Sequence, residues 1–170
     1  MKNEPGNYTI DEISEHIKLL TEEIHPRLIE YLRKINGIMN RHKVERFGEC
    51  GEAIDRFVEF KDDLTKHIEL EDYVIFPKIL RAIRFDRAGL RDIKERLYAS
   101  ELTEWVSFHN VVREELDALV VINEIIDKCN LYELTGDYFR EFESLLREHA
   151  EFEDEVLFPA ALKLAINDLG

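Results

Sequence analysis

Apolar positions recur every three or four residues along most of the chain, which is the period of an amphipathic α-helix. Thr9 followed by Glu12 is a capping-box signature, and it predicts where the first helix begins. Pro26 lies inside this helix and removes an amide donor, so a kink or a split is expected there. The first apolar run stops at Gly37 and contains Ile13, Ile17, Leu20, Ile24, Leu28, Leu32 and Ile35.

Three further apolar runs predict three more helices. The second is expected to start near Gly48 and Gly51 and to bend or end around Pro77, with a basic tail through Arg87 and a break at Gly89. The third is expected over about 90–128. A break over 131–136 then separates the third helix from the fourth, which is expected over about 138–166. Strand-like alternation of any length is absent from the sequence. The pattern therefore predicts an all-α fold, an antiparallel up-down-up-down four-helix bundle.

Composition narrows the class of protein. A chain of 170 residues with 45% apolar residues is long enough for one domain with a real core, so residues 1–170 are predicted to form a single domain. Thirty-seven acidic against twenty-three basic residues give a net charge of −14, which argues against nucleic acid or an anionic membrane as a partner. No apolar run approaches the roughly 20 residues of a membrane span. Cys50 and Cys129 are isolated in the sequence, and two lone thiols favour a cytoplasmic location.

One segment of the sequence occurs twice. The stretch His67–Leu80 returns 82 residues later as His149–Leu162, with eight of fourteen positions identical. Each copy opens with His-x-x-x-Glu, so that Glu71 follows the first histidine and Glu153 the second. Residues four apart on a helix lie about 40° apart around the axis, so each copy presents an imidazole and a carboxylate on one face. Two such faces that meet would form a metal site.

The two remaining predicted helices each supply one histidine within an apolar stripe. A lone histidine on an apolar face is more often a hydrogen-bonded core residue than a ligand. Four histidines, one on each helix and two of them paired with glutamate, favour metal binding. The predicted metal ligands are His16, His67, Glu71, His109, His149 and Glu153.

Other polar residues near these positions are predicted to lie outside the site. His25 is nine residues after His16, about 180° around a helix, so it is expected at the surface, and His25→Ala is expected to leave the metal content unchanged. Asp72 and Asp154 directly follow the predicted glutamate ligands. They are either acceptors for histidine N–H groups or simply exposed, and the exposed alternative is favoured.

The chemistry of the six predicted ligands selects the metal. Calcium and magnesium require oxygen ligands throughout, and six ligands are too many for one tetrahedral zinc ion. Two ions fit if Glu71 and Glu153 bridge them and each ion takes two imidazoles. Two iron ions, bridged also by oxide or hydroxide, suit this set best, with manganese–iron or zinc as weaker alternatives. An open position would remain for a small molecule, and any catalysis would belong to the metals.

With these motifs in place, the chain resembles a hemerythrin-like (HHE cation-binding) domain over essentially its whole length. Within that family it is most similar to the di-iron domain of the repair-of-iron-centers proteins. Their pattern is a first-helix His, then His-x-x-x-Glu followed by Phe-Pro, a third-helix His, and a final His-x-x-x-Glu with Leu-Phe-Pro. The resemblance implies a carboxylate-bridged non-haem di-iron centre at the six predicted ligands.

Two departures from the family qualify what the resemblance implies. Oxygen-carrying hemerythrins have a further histidine four residues after the third-helix one, and here that position is Arg113. Their last carboxylate is an aspartate, which is replaced here by Glu153. A dioxygen carrier is therefore disfavoured. The repair proteins usually carry an amino-terminal cysteine domain, and the chain is expected to lack it, since its first helix begins almost at once.

The resulting functional hypothesis is a cytoplasmic di-iron protein of oxidative or nitrosative stress. It would bind or react with nitric oxide, peroxide or dioxygen, or donate iron in the repair of iron–sulfur clusters. The implied partners are a small diatomic or peroxide ligand, together with an electron donor or an iron–sulfur protein. The alternative is a non-catalytic oxygen or iron sensor, or a metal-binding or oxygen-binding module. The sequence leaves open whether the protein turns over.

Overall fold

The computed structural model describes residues 9–41, 48–88, 123 and 132–159. Its first helix begins with the predicted capping box, which is confirmed. The Glu12 backbone N–H donates to Thr9 Oγ1 at 3.2 Å, and the Thr9 N–H donates to Glu12 Oε2 at 2.7 Å. Each bond satisfies an amide that the helix itself leaves without a partner.

The first helix is longer than its apolar pattern indicates. It consists of α1 (Ile10–Leu19), a π-helical turn (Leu20–Ile24) and α2 (His25–Arg41). The predicted end at Gly37 is wrong, because the helix continues through it. A Cβ atom at Gly37 would meet no other atom within 4 Å, so neither packing nor a turn requires glycine there.

The second long helix has the same construction. It consists of α3 (Gly48–Leu70), a π-helical turn (Glu71–Ile75) and α4 (Phe76–Arg87). It starts where the sequence places it, and it continues through Pro77 to Arg87 instead of ending at the proline, with the π-helical turn just before it.

The last described helix consists of α5 (Tyr132–Phe152) and a third π-helical turn (Glu153–Leu157). The predicted break over residues 131–136 is wrong from residue 132 onward, since Thr135 and Gly136 are buried inside α5. Packing has overridden the weak local preference of these two residues for a turn. The third predicted helix lies outside the described residues except for Asn123, which is helical.

Every one of the three π-helical turns is followed by one residue and then a proline. In each case the residue just before the proline donates its backbone N–H to the carbonyl five residues earlier. These donors are His25, Phe76 and Phe158, which precede Pro26, Pro77 and Pro159. A π-helical turn holds about one residue more than an α-helical turn, so the helix beyond it is rotated by about 100° relative to an unbroken α-helix. At Pro26 the chain therefore stays helical, with a shifted face.

The long helices pack lengthwise. The first and second run antiparallel, because α2 contacts α3 while α1 contacts α4. Helix α5 packs along α2, with its later part against the first π-helical turn, so it is antiparallel to the first helix. No strand occurs in residues 9–41, 48–88 or 132–159, which confirms an all-α fold for the described chain. The four-helix bundle stays a prediction, since its third helix is not described.

The second and last helices meet through residues that are 82 positions apart in the chain, the same offset as in the repeated segment. Each residue of a contact pair is thus the repeat equivalent of the other. Because the numbering of both helices rises together along the contact, the two helices run parallel, and an approximate two-fold axis relates them. The paired rings, with their centroid separations, are Phe57 and Phe139 (5.5 Å), Phe60 and Phe142 (6.1 Å), and His67 and His149 (6.5 Å).

The apolar core falls into two clusters along the helices. One includes Phe57 and Phe142, and the other includes Ile17 and Leu157. Half-buried Ile24, in the first π-helical turn, packs against both. The repeated His-x-x-x-Glu motifs lie between the two clusters along the helices.

Two further observations bear on the predicted location. None of the described helices combines the length and the apolar character that crossing a membrane requires. Cys50 is disulfide-bonded, so the expectation of a lone thiol is wrong for this residue. The other cysteine of the chain, Cys129, lies outside the described residues. A cytoplasmic location therefore loses its argument from free thiols and stays a prediction.

Candidate metal centre

Four buried side chains converge between the two apolar clusters. His25, Glu71, His149 and Glu153 each offer one ligand atom, and these atoms all lie within 4.8 Å of one another. Their side chains are at most 1% exposed. Four titratable groups removed from water in one place are costly unless each is paired or bound to a cation. The group is therefore a candidate metal centre.

The closest contact in this group joins two imidazoles. His25 Nε2 lies 2.9 Å from His149 Nε2. In the metal-free protein one of these nitrogens donates a hydrogen bond to the other. Two imidazole nitrogens bound at about 2.1 Å to one ion, at right angles, would be about 3 Å apart. The spacing therefore fits two ligands of one ion.

The carboxylate of Glu71 lies between two groups of imidazoles. Its Oε2 atom is 3.5 Å from His25 Nε2 and 3.6 Å from His149 Nε2, while its Oε1 atom is 2.7 Å from His67 Nε2. The second carboxylate contacts the same ring as Glu71 Oε2, since Glu153 Oε1 is 3.3 Å from His149 Nε2. A carboxylate whose two oxygens face different imidazoles has the arrangement of a bridge between two ions.

His25 corrects the sequence prediction. It was expected at the surface, yet its side chain is 1% exposed and forms part of the cluster. The π-helical turn Leu20–Ile24 is the physical reason. Its extra residue reduces the angle between His16 and His25 from about 180° to about 80°.

A signal for His25 was present in the sequence. In the second half of the chain, His109 precedes His149 by 40 residues. In the first half, His25 precedes His67 by 42 residues, whereas His16 precedes it by 51. Matching the two halves by this spacing, instead of by helical angle alone, selects His25 as the counterpart of His109.

Asp72 also differs from its prediction. It was expected to be exposed, but its side chain is only 25% exposed, and its Oδ1 atom accepts a hydrogen bond from His25 Nδ1 at 2.8 Å. Ring stacking against Phe76, with centroids 5.7 Å apart, holds the same imidazole from another side. With Nδ1 bonded to Asp72, His25 directs Nε2 into the cluster, the orientation that a metal-binding histidine needs.

The other predicted ligands lie in three different situations. His67 is buried and contacts Glu71, as described above. His16 is half-buried, its Nδ1 atom lies 2.6 Å from the Glu12 carbonyl oxygen, and its ring stacks on Phe152 with centroids 4.5 Å apart. It is not a member of the four-residue cluster. His109 lies outside the described residues, so its place at the centre stays a prediction.

The charges at the centre partly offset one another. Burial alone would raise the pKa of Glu71, but hydrogen bonds with His149 and His67, and the charges of those rings, hold that pKa well below its usual range. Burial alone would lower the pKa of His149, but the charge of Glu153 and the hydrogen bond with Glu71 raise it to about 9. Without an ion, a protonated His149 therefore offsets part of the negative charge of the two carboxylates.

The donor atoms fit a first-row transition metal. Neutral imidazole nitrogen and carboxylate oxygen together suit iron, manganese or zinc, whereas calcium and magnesium prefer oxygen alone. The buried position and the fixed orientation of His25 support the same interpretation. The cluster thus has the chemistry of a transition-metal site.

Comparison with known proteins identifies relatives with a named function. The chain is 24% identical over 166 residues to the iron-sulfur cluster repair protein YtfE of Musicola paradisiaca, and 25% identical over 156 residues to that of Yersinia pestis. These matches cover 92% and 86% of this chain but 69% and 65% of the relatives, so the chain spans about two thirds of their length. The resemblance to iron-centre repair proteins is confirmed. No protein-family model matches the chain, and no solved structure does.

Proposed function

We propose that this chain holds two iron ions in a carboxylate-bridged centre and acts in the repair of iron–sulfur clusters under oxidative or nitrosative stress. The similar proteins carry iron–sulfur cluster repair in their names. The observation that carries the proposal is the position of Glu71, whose two oxygens face the imidazole of His67 on one side and those of His25 and His149 on the other.

The ligands divide between the two ions in a symmetric way. His25 and His149 would hold one ion, and His67 would hold the other together with His109, which the sequence supplies. Glu71 and Glu153 would bridge them. The approximate two-fold axis supports this division, because it exchanges His67 with His149 and Glu71 with Glu153. His25 takes the place in this set that the sequence pattern gave to His16.

The remaining residues of the site prepare it for cations. Ionised Glu71 and Glu153 supply two negative charges in a buried place, and the apolar clusters on either side exclude water, which strengthens their attraction for a cation. Asp72 holds the ring of His25 in the ligating orientation. When bound, the two ions would supply reversible electron transfer and open positions for nitric oxide, peroxide or dioxygen.

Several features of the proposal go beyond the site itself. The partners would be an electron donor and an iron–sulfur protein that receives iron, and the location would be the cytoplasm. Whether small oxidants are turned over or only bound is a second question about the same centre.

Metal analysis of the purified protein, followed by an iron-transfer assay, tests the proposal. We expect about two iron ions per chain, as in other bundles with a di-metal core. The reduced protein should transfer iron to an iron–sulfur protein from which the cluster iron has been removed. A protein that neither contains iron nor takes it up under anaerobic conditions would contradict the proposal.

Stopped-flow mixing of the reduced protein with nitric oxide and with peroxide separates the remaining alternatives. Turnover would indicate an enzyme, whereas a stable adduct without turnover would indicate a sensor or a binding module. Glu71→Ala is expected to abolish either response, because it removes the bridging carboxylate.

A further inference from the structure

A groove of about 200 Å³ opens at the surface between α2 and α3, with room for several water molecules. Its apolar floor includes Ile29 and Ile68, and its rim includes Tyr73, whose side chain is 80% exposed. Residues from the first helix face residues from the second across it. The groove is therefore an opening between two helices, and it lies directly above the metal centre.

The inner end of the groove is formed by His25 and Asp72. His25 is 1% exposed, and its Nε2 atom lies inside the cluster, 2.9 Å from His149 Nε2. Its Nδ1 atom is bonded to Asp72, which is 25% exposed. A single imidazole ring thus separates the bottom of the groove from the centre, and one hydrogen bond fixes that ring.

We propose that this groove is the route by which a hydrated divalent cation such as Fe²⁺ reaches and leaves the metal centre, with the ring of His25 as its inner gate. The proposal rests on the proposed function, since it concerns the loading and release of the same centre.

The charges of the groove favour a cation. Glu69 is exposed at its edge, and Asp72 lies one helical turn further on toward the centre. These two carboxylates form successive positions of negative potential between solvent and His25. Arg33 also lines the groove and opposes them, so loading should be slower with Arg33 than without it.

The gate requires no movement of a helix. A rotation of the His25 side chain breaks its bond with Asp72 and withdraws Nε2 from His149, which opens the bottom of the groove to the cluster. The ring returns to the same bond once the ion has passed. Such side-chain rotations need only local space, and the groove supplies it on the outer side of the ring.

The test compares rates with equilibrium. A change in a route alters loading and release by the same factor and leaves affinity unchanged, whereas a change in a ligand alters affinity. Fe²⁺ uptake by the metal-free protein is followed anaerobically by absorbance, and release is followed with a ferrous chelator. The variants are Ile29→Trp, which fills the groove, and Glu69→Gln, which removes its outer charge.

The control is Glu59→Gln, which removes an exposed carboxylate from the same helix without lining the groove. Ile29→Trp should slow uptake and release by about tenfold each, because the indole ring in the groove raises the activation barrier for passage in both directions equally. Glu69→Gln should slow uptake and release by about fivefold each at low salt, because a passing cation loses the attraction of one nearby charge. Far-UV circular dichroism of each variant shows whether it is folded.

The outcomes are distinguishable. If wild-type protein binds no Fe²⁺, the proposed function and this route both fail. If it binds Fe²⁺ and both groove variants, folded, load and release at the rates of Glu59→Gln, the route alone is overturned. A folded Ile29→Trp with unchanged uptake but faster release, and so with weaker affinity, would also overturn it, since that result assigns the groove a role in holding the ion. Should Ile29→Trp be unfolded, unchanged uptake in Glu69→Gln would overturn the route by itself.

Discussion

His25 and His149 are 124 residues apart in the chain, and their Nε2 atoms lie 2.9 Å apart between the first and the last helix. Neither nitrogen is exposed to solvent, since both side chains are at most 1% exposed. Two buried imidazoles face each other in this way next to two carboxylates, as ligands of one ion would. Substitution of His25 therefore tests the proposed metal centre.

His25→Ala is expected to reduce the iron content by at least as much as His149→Ala, because each removes one ligand of the same ion. Iron analysis of anaerobically reconstituted protein measures this. His16→Ala serves as the comparison: its imidazole is half-buried and outside the cluster, so iron content should be retained. Iron loss in His16→Ala with full retention in His25→Ala would restore the assignment made from helical angles.

Asp72 should act on the centre through His25. Asp72→Leu removes the acceptor for His25 Nδ1, and the affinity for metal should fall by about 10-fold to 100-fold. Asp72→Asn keeps an acceptor oxygen, so its loss should be smaller. Competition with a chelator of known affinity gives both values. Equal affinities in wild type and Asp72→Leu would show that the hydrogen bond does not orient the ligand.

The stability of the metal-free protein should depend on pH through His149. Its pKa is raised from 6.5 to about 9 in the folded protein, so the stabilisation is complete below about pH 6.5 and is lost as the pH rises through 9. The denaturation midpoint of metal-free protein should therefore fall over this range. Metal affinity should rise over the same range, because the ion displaces the proton. His149→Gln, which lacks the titrating group, should show a flatter stability profile.

The second π-helical turn gives a prediction about chain length. Deleting the exposed Tyr73 would convert that turn to a regular α-helix and leave the two flanking faces in register. Helix content and cooperative unfolding should survive. Iron binding should be lost, because Glu71 is the first residue of the turn and the local backbone that positions its carboxylate would change. Deleting the exposed Glu59 from the regular part of α3 should instead misalign the core by about 100° and destabilise the fold. Retained iron binding in the Tyr73 deletion would contradict this role.

Local signals in the sequence were sufficient for several parts of the structure. Thr9 and Glu12 predicted the start of the first helix, because a capping box depends only on residues three apart. The two His-x-x-x-Glu pairs predicted a buried cluster, and the buried contacts of His67 with Glu71 and of His149 with Glu153 agree with that interpretation. Both signals lie within one α-helical turn, where residue spacing gives direction reliably.

Signals that depend on longer range were less successful. The burial of His25 was not predicted, because its direction was calculated at 100° per residue, as in an unbroken α-helix. The π-helical turn before His25 changes that direction, and only the folded chain shows this turn. Thr135 and Gly136 favour a turn locally, but tertiary burial places them inside α5. The hydrogen bond from His25 to Asp72 joins residues 47 apart, and neighbour-based sequence patterns contain no measure of it.

The pairing of Phe57 with Phe139, and of His67 with His149, means that one surface of the second helix is self-complementary. Such an isologous contact is the kind formed by two identical subunits of a homodimer, although here both halves belong to one polypeptide. The first hairpin, formed by the first and second helices, therefore carries one half of an approximately symmetric interface, and the last helix carries the other half. In principle two copies of the first hairpin, each contributing His25, His67 and Glu71, contain all the ligands that one complete centre requires.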